Sequence, residues 1–174
     1  MYKLFLCLAA LLITSGCKSY EVSFNNGSKP ISVKKSLYVM LPKDGHYGTK
    51  LYAKSGQIAQ YELVNALRKK IKGEIKVASS ITSVQEGILV AKKQKMDLLV
   101  CPEITQWEDR NSAASGIRDK AGLNIKIIDV TTKKVISNAD LYGKGRNGLM
   151  ALKDRPERIL PYLFEKYMIE LFKN

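Results

Sequence analysis

Leu98-Leu99-Val100-Cys101-Pro102-Glu103-Ile104-Thr105-Gln106-Trp107 and, after a polar stretch, Leu123-Asn124-Ile125-Lys126-Ile127-Ile128-Asp129-Val130 are the segments that decide the fold. The first opens as an unbroken apolar run, which suits a central strand covered on both faces, and it extends toward Trp107. The second begins with strict alternation, as a strand with one wetter face requires. Thr131-Thr132-Lys133-Lys134 then reads as a hairpin connection, so the segment from Val135 to Tyr142 returns antiparallel and three consecutive strands form a meander.

Upstream, strand and helix patterns alternate. Ser36 to Leu41 is a short run of strand formers ending at Pro42, followed by a loop from Lys43 to Lys54. Ser55 is placed to cap a helix whose apolar stripe is Ile58, Tyr61, Val64 or Leu63, Leu67 and Ile71, and Gly73 stops it. A strand at Ile75 to Ala78 precedes Ser83-Val84-Gln85-Glu86, where a serine three residues ahead of a glutamate makes a capping box. The helix it starts runs to about Lys95. Downstream, Asp154 is positioned to cap a last helix with Pro156 in its first turn and Ile159, Leu163, Tyr167 and Leu171 as its stripe. The predicted order β-α-β-α-β-β-β-α makes one α/β (α+β) domain, an open mixed sheet of about five strands with helices packed on it. Short strand-to-helix connections in the first half favour parallel pairing there.

The amino terminus has a different character. Lys3 precedes an uncharged run from Leu4 to Ile13, too short for the roughly 20 residues that cross a bilayer. A charged start, a brief apolar core and small residues are the layout of a secretory signal peptide, expected here over residues 1–16. Thr14-Ser15-Gly16-Cys17 resembles the lipobox of bacterial lipoprotein precursors. That resemblance implies cleavage after Gly16 and acylation of the Cys17 thiol, with two or three chains, enough for stable anchoring. Lys18 stands where the inner-membrane retention signal of enteric bacteria usually has Asp, which implies the outer membrane, facing the periplasm. Residues 17–33 read as the lipidated cysteine and a flexible tether, because Asn25, Asn26, Gly27, Ser28, Lys29 and Pro30 offer little to bury. The folded domain is expected over residues 34–174.

Export changes what the composition means. The formal net charge is +13, or +12 once Lys3 leaves with the signal, which in a cytoplasmic protein would raise nucleic acid as a partner. In the envelope the candidates are anionic phospholipid, lipopolysaccharide phosphates, cell-wall carboxylates or an acidic protein, and no nucleic acid is expected. The densest cluster is Arg68, Lys69, Lys70 and Lys72, with Lys76 close behind, near a helix end where cations complement the helix dipole. It is a candidate basic patch for an anionic envelope polymer, set against the plainer reading of a solvated face. With Cys7 in the signal and Cys17 committed to lipid, Cys101 is left alone, so no internal disulfide is possible, and a buried small side chain is its plainer reading.

The run Leu98 to Arg110, the segment Ile127 to Ile136 and the closing Leu160-Pro161 helix look like a family of small proteobacterial lipoproteins catalogued as a domain of unknown function, DUF4823-like. The element order is also similar to periplasmic domains of the curli-secretion lipoprotein, of lipoproteins that activate peptidoglycan synthases, and of the amino-terminal domain of the Tol-system translocation protein. Those likenesses imply domains that bind other envelope proteins, and they carry no catalytic residues.

Chemistry has little to work with. A hydrolase needs a nucleophile, a base and an orienting group in reach, and the single histidine, His46, sits in a loop beside glycines. No metal or cofactor is expected, since His46 and Cys101 cannot make a zinc site alone. Gly143-Lys144-Gly145-Arg146-Asn147-Gly148 lacks the ending of a phosphate-binding loop and reads as a mobile basic loop. Glu103, Glu108 and Asp109 invite comparison with glycosidase carboxylates, but along one strand Glu103 and Asp109 would lie ~20 Å apart, and pairing with Arg110 or Arg118 suits these carboxylates better. The expectation is therefore not an enzyme but a protein-interaction module. Trp107 is the pivot: a lone Trp is usually core, yet its neighbours Glu108, Asp109 and Arg110 make a partner-binding surface of Trp107, Glu108, Asp109 and Arg110 the functional reading.

Overall fold

The computed structural model describes residues 18–25, 27–110, 117–146 and 155–173. Strand β1 spans Ser19–Phe24, β2 Leu37–Val39, β3 His46–Tyr47 and β4 Lys50–Leu51; helix α1 spans Ser55–Arg68, β5 Ile75–Val77 and α2 Val84–Lys93. The meander follows as β6 (Leu98–Glu108), β7 (Lys120–Asp129) and β8 (Val135–Lys144), and α3 (Pro156–Leu171) closes the chain. Six strands form one mixed sheet in the order β1-β8-β7-β6-β2-β5, and β3 with β4 forms a separate hairpin.

The meander and the parallel half stand as expected: β6, β7 and β8 pair antiparallel, and β2 lies parallel between β5 and β6. The expected tether is overturned. Residues 19–24 are not part of a flexible tether, because all six pair antiparallel with β8 in an unbroken register from Ser19 opposite Lys144 to Phe24 opposite Ala139. The physical reason is their alternation. Tyr20, Val22 and Phe24 point to one face and pack on the core, Tyr20 stacked on Tyr162 and Phe24 on Tyr167.

The two faces of the sheet are covered unequally. One carries the main core, in which Leu98, Val100, Leu123, Ile125, Ala139 and Leu141 meet Leu63 and Leu67 of α1 and Ile159, Leu163 and Phe164 of α3. The other is covered by α2 only near β2 and β6, where Ala91 packs with Tyr38, Met40, Leu99 and Ile128. Over β7 and β8 that face is polar, with the Asn124 amide donating to Asp140 and Asn138 at 2.8 and 2.9 Å.

Helix starts show how local chemistry is settled. The capping box of α2 is present: Ser83 Oγ accepts from the Glu86 amide at 3.2 Å while Glu86 accepts from the Ser83 amide at 2.8 Å. In α1, Lys54 takes the cap position in a left-handed conformation (φ 70°), and the loop residue Asp44 supplies the acceptor to the Lys54 and Gly56 amides. Ser55 is thus not the cap; its hydroxyl is turned to the Gly45 amide at 2.7 Å. Pro156 opens α3 as expected, after Arg155, while Asp154 lies outside the described residues. Among the described residues no helix is long and apolar enough to cross a membrane.

Candidate functional site at the end of the central strand

Strand β6 does not keep one phase along its length. Its register with β7 slips between Ile104 and Gln106, so that Ile104 faces Leu123 but Gln106 faces Gly122. This bulge admits one extra residue, Thr105, and re-aims all that follows. Trp107 is consequently turned into the main core, 1% exposed, where it joins the residues beneath α1 and α3. The partner-binding reading of Trp107 is corrected by this burial: the most voluminous side chain of the core cannot meet a partner. Gly45 presses on it, and a Cβ there would come 2.7 Å from the Trp107 Cβ and 2.9 Å from Ile104 Cγ2.

Glu108 takes the opposite face and is also buried. It accepts from Arg110 Nε at 2.9 Å, from Lys120 Nζ at 3.4 Å and from the Gln106 amide. Burial pushes its carboxyl up, but the hydrogen bonds from Gln106 and Arg110, with the charges of Lys120 and Arg110, outweigh it and hold the group below the usual carboxylate range. Such a group is a tied anion, unsuited to proton transfer near neutral pH.

Arg110 and Asp109 join the strand end to the β3–β4 hairpin. The Arg110 guanidinium lies 4.5 Å from the Tyr47 ring centroid and donates to the Tyr47 hydroxyl, and the Arg110 amide donates to Asp119 at 2.6 Å. Tyr52 bonds residue 109 twice, donating to its carbonyl at 3.2 Å and accepting from its amide at 3.4 Å. Two-residue strands have no stability of their own. These contacts hold the hairpin in place, presenting Tyr47 and Leu51 at 42% and 64% exposure. Sequence reasoning placed residues 43–54 in a loop and missed these two; the signal was Tyr47 and Leu51, large apolar side chains bracketing Gly48.

The remaining expectations fall elsewhere. Arg68, Lys69, Lys70 and Lys72 are all exposed, Arg68 in the last turn of α1 and the lysines after it, with Lys72 at the end of the sheet where β2 and β6 begin, as its amide bonded to the Val33 carbonyl shows. Lys69 and Lys70 border a groove of about 570 Å³ against Tyr162, Glu165, Met168 and Ile169 of α3. His46 is exposed in β3. Cys101 lines a cleft of about 440 Å³ with its sulfur 3.5 Å from Met40 Sδ, and burial pushes its thiol up to about 12. Gly143 and Lys144 belong to β8 rather than to a mobile loop, because they pair with both β1 and β7, while Asn147 and Gly148 lie outside the described residues. Gly16 and Cys17 also lie outside them. Among the described residues no group of three His, Cys, Asp or Glu side chains is arranged to hold a metal.

Residues 30–171 match a family model described as Domain of unknown function (DUF4823). No curated protein matches the sequence. Two solved structures of the PelC dodecamer from Paraburkholderia phytofirmans share the fold: one has TM-score 0.69 at 15% identity over 90% of this chain and 100% of that one. The other has TM-score 0.67 at 14% identity, over 91% and 99% of the two chains. A Xanthomonas campestris protein described under the family model DUF330 is similar with TM-score 0.52 and 13% identity, over 84% of this chain and 88% of that one.

Proposed function

Since the chain belongs to the DUF4823 family, whose description assigns no activity, we propose that it is an envelope lipoprotein, anchored in the outer membrane by lipid on Cys17 and facing the periplasm, which works as a non-enzymatic protein-interaction module in envelope assembly or maintenance. Anchoring is supported by the signal-like run from Leu4 to Ile13 and by Thr14-Ser15-Gly16-Cys17. The interaction role is carried by one observation: Tyr47 and Arg110, residue types enriched at interface hot spots, are held side by side on a cross-bonded frame. A surface already rigid before binding loses little entropy on association. The titratable groups nearby support the non-enzymatic reading, with Glu108 committed to Arg110 and Lys120 and Cys101 kept as a thiol.

A photo-crosslinking residue placed at Leu51 in living cells tests this. Adducts with an envelope protein are expected from Leu51 and not from Leu89 on α2, which is equally exposed at 66%. Adducts from Leu89 alone would overturn the reading. A cross-link to a second copy would identify the partner as the chain itself, the kind of assembly named for PelC.

A second reading, binding of an anionic envelope polymer such as lipopolysaccharide or peptidoglycan, is favoured by the basic patch. Arg68, Lys69, Lys70 and Lys72 are all exposed, and among the described residues none of the four forms an ion pair. Co-sedimentation with either polymer that weakens steeply as salt rises would support it, because exposed charges are screened.

A further inference from the structure

The corrected amino terminus fixes how the domain stands on its membrane. Only Lys18 separates Cys17 from Ser19, the first residue of β1. Two residues of extended chain reach at most about 7 Å, comparable with the headgroup layer on one side of a bilayer. A lipid on Cys17 therefore holds one end of the sheet within the headgroup zone. The row Ser19, Lys144, Lys120, Glu108 runs across four neighbouring strands and identifies which end this is. The first turn of α3 lies over the same end, as Gly143 shows: a Cβ there would stand 2.4 Å from Ile159 Cγ2.

Among the described residues, that end presents more bases than acids. Arg155 and Arg158 are exposed at the start of α3, and Arg118, Lys120, Lys144 and Arg146 are half-exposed around the strand ends. Glu108 and Asp119, by contrast, are 4% and 3% exposed, bonded inward to Arg110. Among the described residues, the half-buried Asp109 and Glu157 and the exposed Glu21, two positions along β1 from Ser19, offset these cations in part. Tyr142 beneath Lys144 and Tyr162 beneath Lys18 flank the surface, as aromatic residues do at membrane interfaces.

We propose that this end of the sheet, with Arg118, Lys120, Lys144, Arg146, Arg155 and Arg158, seats directly on the anionic phospholipid headgroups of the anchoring leaflet, so that the domain stands upright on the membrane. The proposal rests on the reading of Cys17 as lipidated. Each cation near an anionic surface strengthens attachment about fivefold. The opposite end is out of reach: the ten residues of β8 rise about 33 Å, several times the ~8 Å screening length. Of the Arg68–Lys72 cluster, Lys72 lies toward that far end, bonded to Val33, while Lys69 and Lys70 border the groove that includes Tyr162.

The test uses the mature lipidated protein reconstituted into vesicles, with a fluorophore on Ile117→Cys near the seat or on Val135→Cys at the far end, both exposed positions. The native Cys101, with its thiol pushed up to about 12, stays unlabelled at neutral pH. With nitroxide-labelled headgroups in vesicles of phosphatidylglycerol and phosphatidylcholine, quenching is expected at position 117 and not at 135. It should fall in pure phosphatidylcholine and in the Lys144→Glu, Arg158→Glu double variant. Equal quenching at both positions, or no dependence on the anionic lipid, would overturn the proposal while leaving lipidation intact. Failure to float with either vesicle, with an unmodified Cys17 by mass spectrometry, would overturn the lipidation reading and this one together.

Discussion

Gly45 and Trp107 touch backbone to side chain, so closely that any Cβ at position 45 would stand 2.7 Å from that of the tryptophan. The contact clamps the segment before the β3–β4 hairpin onto the end of β6. Gly45→Ala forces Trp107 or the loop to shift, and overpacking of this kind costs about 1–3 kcal/mol. A fall in the urea midpoint is expected, with a red-shifted emission from the only tryptophan. An unchanged midpoint would show that the loop yields freely.

Four carboxylates make stability depend on acid. The Ser83 amide and hydroxyl lower Glu86, the Ser36 amide and hydroxyl lower Asp97, and the Thr132 amide and hydroxyl lower Asp129. In Glu108, burial raises the group but its hydrogen bonds and neighbouring cations lower it further. All four bind protons less readily when folded than when unfolded. Their contribution is present above the unfolded carboxylate range, about 4, and is lost as pH falls through the depressed folded values. The melting temperature should therefore be flat from pH 7 to about 5 and fall below about 4. Asp97→Asn should lower the plateau and flatten the descent.

Cys101 should resist alkylation. Its thiol is shifted from 9.0 to about 12 by burial, against a smaller opposing effect of Lys126. That leaves about a thousandfold less thiolate at a given pH. Maleimide at pH 8 should modify the native protein slowly and the urea-unfolded protein at once; equal rates would mean that the cleft opens.

Phe24 is the anchor of β1, stacked 5.6 Å from the Tyr167 ring. Phe24→Ala should destabilise by about 2 kcal/mol, below the about 3–5 kcal/mol of a fully buried Phe because this side chain is only partly buried. In the parent protein the alternate amides of residues 19–24 that face β8 should be protected from exchange, as an edge strand requires. Fast exchange there would restore the tether that the sequence suggests.

The sequence reveals most where burial is periodic. The β6 run, the alternation of β7 and the Ser83–Glu86 box each state their structure locally. Tyr20, Val22 and Phe24 alternate just as plainly, but the turn-forming residues that follow suggest a linker, whereas Asn25, Ser28 and Lys29 bond Asn138 and Ile136 of β8. Trp107 was unreadable for another reason. A one-residue bulge at Thr105 decides which face it takes, and no local property of Gln106-Trp107-Glu108 announces a phase change in pairing. The capping of α1 depends on Asp44, ten residues ahead of Lys54 in the chain, so a search for an adjacent cap finds Ser55 instead.

The pairing of β1 with β8 also sets a timetable for folding. The first strand of the domain has its partner near the far end of the chain, and just beyond it Ser28 bonds Asn138 of β8, 110 residues on. Until β8 has followed, Tyr20, Val22 and Phe24 are greasy and unclaimed, and the exposed flank of a nascent sheet invites stray association. Closure of such distant contacts is slow. Between synthesis of the first strand and arrival of the last, the chain is thus most open to misassociation.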